Sequence, residues 1–139
     1  MHYANYKKGE MKMQYIIMLA IVTGLAVSDF VTGIIKGYVT GTLSSSKMRK
    51  GGVNKLGEII VMATACGLEI GIKQLGNYYS ADELAHITGT ITAILVFGYI
   101  VIMEVISILE NYCIINLNAR WAKRIVKRLK VFEDEKEEK

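Results

Sequence analysis

Three runs of apolar residues separated by short polar stretches organise this chain: Met13 to about Ile35, Leu56 to about Leu75, and Leu84 to Leu109. Each approaches or exceeds the ~20 residues that a helix needs to cross a hydrocarbon core of about 30 Å. The pattern changes after Asn118, a candidate N-cap. From Ala119 to Phe132, the residues Trp121, Ile125, Leu129 and Phe132 form a stripe at helical spacing, and Arg120, Lys123, Arg124, Lys127, Arg128 and Lys130 cover the other positions. That is a basic amphipathic helix suited to an anionic leaflet. The pattern predicts an all-α membrane protein in a single domain: three transmembrane helices (13–35, 56–75, 84–109), an amphipathic helix at 119–132, and a disordered acidic tail at 133–139.

The three runs are not alike. In the first, Ala20, Gly24, Ser28 and Thr32 repeat every four positions, and Gly33, Gly37 and Gly41 make two overlapping G-x-x-x-G steps. Such stripes let helix backbones approach closely, which favours association in lipid, where hydrophobicity cannot. The second run is the weakest. Its eight strong apolar residues contribute at best about −0.3 to −0.6 kcal/mol each, and Glu69 near the middle cancels most of that. Glu58 and Glu69 lie about three turns apart on one face, Glu69 and Lys73 form an acid-first i,i+4 pair, and Gly67 and Gly71 add another small-residue step. Gly76-Asn77-Tyr78-Tyr79 reads as a turn, and Ser80-Ala81-Asp82-Glu83 as a capping box that starts the third run, the most apolar of the three.

Four acids sit inside these runs: Asp29, Glu58, Glu69 and Glu104. A charge at the centre of a membrane helix costs about 3 kcal/mol, so these groups are expected to face protein and to act with Lys73 as intramembrane polar contacts. Gly24, Ser28, Gly33, Gly37, Gly67 and Gly71 are the expected helix-packing positions.

Charge sets the topology. Lys36, Lys47, Arg49, Lys50, Lys55 and the six basic residues of the amphipathic helix share one side; Lys7, Lys8, Lys12 and Lys73 share the other. By the positive-inside rule the C-terminus lies in the cytoplasm and the N-terminus outside. The basic stretch Ser44–Lys55 reads as a cytoplasmic turn whose Lys47, Arg49, Lys50 and Lys55 are the nearest partners for Asp29, Glu58 and Glu104. A lysine-rich start before an apolar run also suits a signal peptide. Two further apolar runs leave no soluble domain to secrete, so the first run is read as a membrane helix. Met11 and Met13 offer an internal start that would remove Lys7 and Lys8 from the translocated end.

The absence of proline and the presence of 13 glycines, several inside apolar runs, fit membrane helices. The net charge of +4 is concentrated beside the apolar runs, which argues for lipid rather than nucleic acid as the partner. Cys66 and Cys113 read as small apolar residues, and His86 as an interfacial side chain. Two distant histidines and two distant cysteines make no metal site, and there is no catalytic constellation or phosphate loop, so neither an enzyme nor a cofactor is expected.

Three blocks of residues resemble a known family. Asp29-Phe30-Val31-Thr32-Gly33-Ile34-Ile35-Lys36, then Ser44-Ser45-Ser46-Lys47 through Gly51-Gly52 and Lys55, then Met103-Glu104-Val105-Ile106-Ser107-Ile108-Leu109-Glu110-Asn111 are similar to the toxin-secretion/phage-lysis holins of phages and clostridia. The resemblance runs from about Val27 to Leu129, and the Glu-x-x-Ser-Ile-Leu-Glu-Asn block is its most specific part. Asp29, Thr32, Gly33, Ser45, Lys47, Gly51, Gly52, Lys55, Glu104, Ser107, Glu110 and Asn111 are the positions that carry the family pattern. Ile114-Ile115-Asn116-Leu117-Asn118 departs from it, since relatives commonly have proline there. The resemblance implies a multi-pass protein of the host cytoplasmic membrane that forms a homo-oligomer and opens lesions, with a cell-wall hydrolase or a large toxin as indirect partner. A second class also accommodates intramembrane acids: a non-lytic transporter subunit or scaffold.

Overall fold

A computed structural model describes the backbone of residues 2–137 and the side chains of residues 13–130. Among the described residues four helices follow one another: α1 (His2–Val39), α2 (Ser45–Tyr78), α3 (Asp82–Ile115) and α4 (Arg120–Glu137). Among the described residues two stretches, Met13–Val39 and Asp82–Ile115, are long and apolar enough to cross a membrane. α2, which holds the run expected to be the second of three transmembrane helices, is not one of them, because its apolar residues are fewer and interrupted by Glu58 and Glu69. The side chains of Lys7, Lys8, Lys12 and Phe132, and residues 138–139, lie outside the described residues.

Every helix is longer than its apolar run. With no proline to stop them, helices continue through polar residues until a cap ends them. α1 ends at Gly41, whose φ of 65° is the left-handed conformation that glycine adopts without strain. The Gly41 N–H donates to the Tyr38 carbonyl (3.2 Å) and the Thr42 N–H to the Gly37 carbonyl (2.9 Å), the paired bonds of a Schellman cap. Gly41 therefore terminates the helix rather than serving as a packing step.

The basic stretch is mostly helix, not turn. Ser44 Oγ accepts from the Lys47 N–H at 3.3 Å, and from Ser45 onward the residues form the first turns of α2. Gly51 and Gly52 sit where the Phe30 ring approaches, at 3.6 and 3.9 Å from the position a β-carbon would take.

At the other end of α2, Ser80 has φ 55° and occupies the left-handed position glycine takes after α1, while the Ala81 N–H donates to the Gly76 carbonyl. Ser80 thus ends α2 instead of capping α3. Ala81 is the residue whose carbonyl accepts from Ala85, and Asp82 and Glu83 complement the helix N-terminus. Gly76 lies in the last turn of α2, not in the turn beyond it. A similar one-residue shift opens α4, where the Ala119 carbonyl accepts from Lys123 and Asn116 Oδ1 holds the Asn118 N–H at 3.1 Å in an Asx turn. α4 continues to Glu137, where the acidic composition predicts disorder, because Glu and Lys are good helix formers and no breaker intervenes.

The chain forms two units: residues 1–24 with 56–101, and residues 25–55 with 102–139. In the first, Met18, Val22, Met62, Ala65, Cys66 and Ile100 form an apolar core flanked by Tyr15, Leu19, Ile59, Val96 and Phe97. Cys66 is a free, buried thiol within it, and Cys113 is also free. Two glycines let α2 and α3 touch. A β-carbon at Gly76 would collide with Ala85, and one at Gly89 would lie 3.1 Å from the Glu69 carbonyl. In the second unit the buried set is polar or small: Ala26, Asp29, Gly37, Glu104, Asn111, Ala119 and Ala122, with Ile106 the largest aliphatic member. α4 packs through Ala119 and Ala122, leaving Trp121 and Ile125 of the predicted stripe exposed.

Candidate functional site

The second unit brings three helices together around one ammonium group. Lys55 of α2 lies 2.8 Å from Asp29 Oδ2 of α1 and 2.8 and 2.9 Å from the two carboxylate oxygens of Glu104 on α3. Glu104 is 1% exposed and Asp29 7%, so neither carboxylate is hydrated in the ordinary way. Asn111, one further helical stretch along α3, completes the arrangement. Its Nδ2 donates to Asp29 Oδ1 at 2.9 Å and to Thr32 Oγ1 at 3.2 Å, while its Oδ1 accepts from Lys36 Nζ. Thr32 Oγ1 in turn donates to the Asp29 carbonyl at 3.0 Å.

The formal charges of Asp29, Glu104, Lys36 and Lys55 cancel. This matters because an isolated buried carboxylate costs several kcal/mol, and an ion pair offsets that only when its remaining lone pairs are also satisfied. Here both Asp29 oxygens and both Glu104 oxygens have donors. Removing one partner from such a buried set costs about 3–5 kcal/mol. Beside the network lies a cleft of about 380 Å³, lined by Lys47, Ser107, Gly33 and Gly37 as well as by Asp29, Lys55 and Asn111.

The bacteriophage holin family matches residues 9–134 of the chain. The chain belongs to that family. No curated protein and no solved structure matches it. Holins are non-enzymatic membrane proteins, and among the described residues no group of three or more His, Cys, Asp or Glu side chains could hold a metal ion.

The holin-pattern residues Asp29, Thr32, Lys55, Glu104 and Asn111 make the network itself. Gly33 backs it: a β-carbon there would lie 3.7 Å from Asn111 Nδ2. Gly51 and Gly52 accommodate Phe30, Ser45 opens α2, and Lys47 Nζ donates to the Thr42 carbonyl at 3.2 Å, tying the loop to the helix that follows. Ser107 lines the cleft, and Glu110 pairs with Lys130 of α4 at 2.5 Å. Of the four cations expected to reach the acids from the basic stretch, Lys55 reaches two of them; Arg49 and Lys50 are exposed.

Glu69 and Lys73 lie elsewhere, in the first unit. Glu69 is fully buried, and its Oε1 accepts from Lys73 (2.6 Å) and Thr90 (3.2 Å). The Tyr15 side chain interacts with the same carboxylate, and Oε2 has no hydrogen-bond partner among the described residues. Glu58 is half-buried on the same helix. Of the expected packing glycines, Gly33 and Gly37 touch other side chains, whereas a β-carbon at Gly24, Gly67 or Gly71 would meet nothing within 4 Å; Ser28 is exposed.

The residues that pattern reading missed are Lys36 and Thr90 as partners of buried polar groups, and Gly76 and Gly89 as close-approach positions. Thr90 was findable: it lies one residue from Gly89, and a Gly-Thr step on an apolar helix pairs a close approach with a hydroxyl donor.

Proposed function

We propose that this holin-family chain accumulates in the bacterial cytoplasmic membrane, assembles as a homo-oligomer, and opens lesions through which a cell-wall hydrolase or a large toxin leaves the cytoplasm. The observation that carries this reading is the convergence of Asp29, Thr32, Lys55, Glu104 and Asn111 into one buried network, within a chain that matches the holin family along almost its whole length. A network of this kind holds polar residues of three helices away from lipid until the protein has accumulated.

In this proposal α2 is the third span. Its marginal insertion is compensated because Lys55 and Glu69 meet partners on α1, α2 and α3 instead of lipid. The 40–44 loop and α4 face the cytoplasm and the N-terminus faces out, from the eleven-to-four distribution of Lys and Arg. Assembly uses the helix faces carrying Gly24, Gly67 and Gly71, which have room for a neighbour's backbone. Glu58 is proposed as a further polar contact in that assembly.

Induced expression in a bacterium, with simultaneous measurement of a small membrane-impermeant dye and a cytoplasmic reporter protein, tests this. Abrupt entry of dye together with release of the reporter is the expected result. Cells that carry dense, correctly inserted protein yet stay energised and intact would overturn it. Selective ion flux without protein release would replace it with the non-lytic transporter or scaffold reading.

A further inference from the structure

A second concavity of about 690 Å³ lies between α3 and α4 in the second unit, and it shares only Lys36 with the polar network. Its apolar lining is Ile114 and Val126 with Cys113. Its cationic lining is Lys36 from α1 and Lys123, Lys127 and Lys130 from α4, with Glu110 the one acid among the described lining residues. Lys36 already balances the polar network, so among the described lining residues Lys123, Lys127 and Lys130 against Glu110 leave a formal charge of +2. Glu110 takes Lys130, Asn111 takes Lys36, and the Leu117 carbonyl takes Lys123 at 3.3 Å. Lys127 has no acceptor among the described residues.

Converging cations are repulsive unless an anion joins them, and an apolar lining is poorly used by a small hydrated anion. Both features suit an amphiphile with a phosphate head. The exposed Trp121 and Ile125 on α4 are side chains that favour a bilayer interface, where such a molecule is at hand. We propose that this groove binds one anionic phospholipid, its phosphate held by Lys127 with Lys36 and Lys130 and an acyl chain lying over Ile114 and Val126. Basic pockets on the cytoplasmic side of membrane helices are suited to such headgroups. The proposal rests on the membrane location of the chain and not on its forming lesions.

The full-length protein, purified and placed in phosphatidylcholine nanodiscs with or without phosphatidylglycerol, is examined by native mass spectrometry for retained lipid. Wild type retains phosphatidylglycerol in preference to phosphatidylcholine. Each lysine lost from the site weakens retention about fivefold, so Lys127→Gln with Lys130→Gln weakens it roughly twenty-five-fold. Arg124→Gln with Arg128→Gln removes the same charge from exposed positions of the same helix outside the groove, and leaves retention within about twofold. Glu110→Gln removes the opposing charge and strengthens retention, an outcome that damage to the fold would not produce. Equal losses in the two double variants would overturn the site in favour of diffuse surface attraction. Equal retention of phosphatidylcholine, or displacement of the lipid by millimolar inorganic phosphate, would overturn the lipid assignment. Because retention is measured on purified protein, these outcomes are separate from any failure to permeabilise cells.

Discussion

Both units of this protein bury carboxylates, and they deal with them differently. In residues 25–55 with 102–139, Asp29 and Glu104 share Lys55, Asn111 supplies a further donor, and every carboxylate oxygen is satisfied. In residues 1–24 with 56–101, Glu69 relies on Lys73 one turn away and on Thr90, and one of its oxygens has no donor among the described residues. The apolar cores differ in the opposite sense: a continuous cluster around Val22 and Met62 in the first, mostly small or polar residues in the second. One unit is held chiefly by shape and the other chiefly by a polar network. In lipid, where apolar burial gives little drive for helices to associate, both are workable solutions. Only the polar one fixes which residues of three helices must meet.

The largest effect should come from Lys55→Met. It leaves Asp29 and Glu104 without their shared cation and is expected to cost about 3–5 kcal/mol, read as loss of stability in mixed-micelle unfolding. Adding Asp29→Asn and Glu104→Gln to that variant should recover more than half of the loss. A smaller effect is expected from Asn111→Leu, which removes donors to Asp29 and Thr32 and the acceptor of Lys36, at about 2–3 kcal/mol in the same assay. Gly76→Ala probes the shape-held unit. Its added methyl meets Ala85, so about 1–3 kcal/mol of overpacking is expected, and a harmless Gly76→Ala would break the contrast between the units.

Glu69→Gln sharpens the contrast from the other side. It removes a buried charge whose second oxygen is unsatisfied, and Lys73 can extend toward the headgroups, so the cost should stay below about 1 kcal/mol. A loss as large as that of Lys55→Met would mean that the two carboxylate centres are equivalent. Ser80→Gly should give the smallest change and the only gain. It relieves a left-handed serine and should raise stability by up to about 1 kcal/mol, visible as a higher midpoint of thermal unfolding.

Much of this arrangement is legible in the chain. The apolar runs place α1 and α3, and the acids within them announce that partners are needed. Asp29 and Thr32 of the Asp-x-x-Thr-Gly block and Glu104 and Asn111 of the Glu-x-x-Ser-Ile-Leu-Glu-Asn block share one network with Lys55, whereas Ser107 and Glu110 lie outside it. Helix ends were less legible, because they depend on which residue adopts the left-handed conformation. Gly41 and Ser80 both do so, yet only the glycine advertises it. The basic stretch read as a turn because it is polar and carries two adjacent glycines; it forms the first turns of α2, where those glycines lie against Phe30, a contact distant in sequence. The choice of Lys55 over Lys47, Arg49 or Lys50 was beyond pattern reading for the same reason. All four have the right charge, and only helical phase selects among them.

The most direct test of the account compares reporter-protein release from bacteria producing wild type, Lys55→Met, and the charge-free triple variant Asp29→Asn, Lys55→Met, Glu104→Gln at matched membrane levels. Abrupt release is expected from wild type, at least tenfold less from Lys55→Met, corresponding to a loss of more than about 1.4 kcal/mol, and recovery in the triple variant. Release by Lys55→Met at the wild-type time and extent would contradict it.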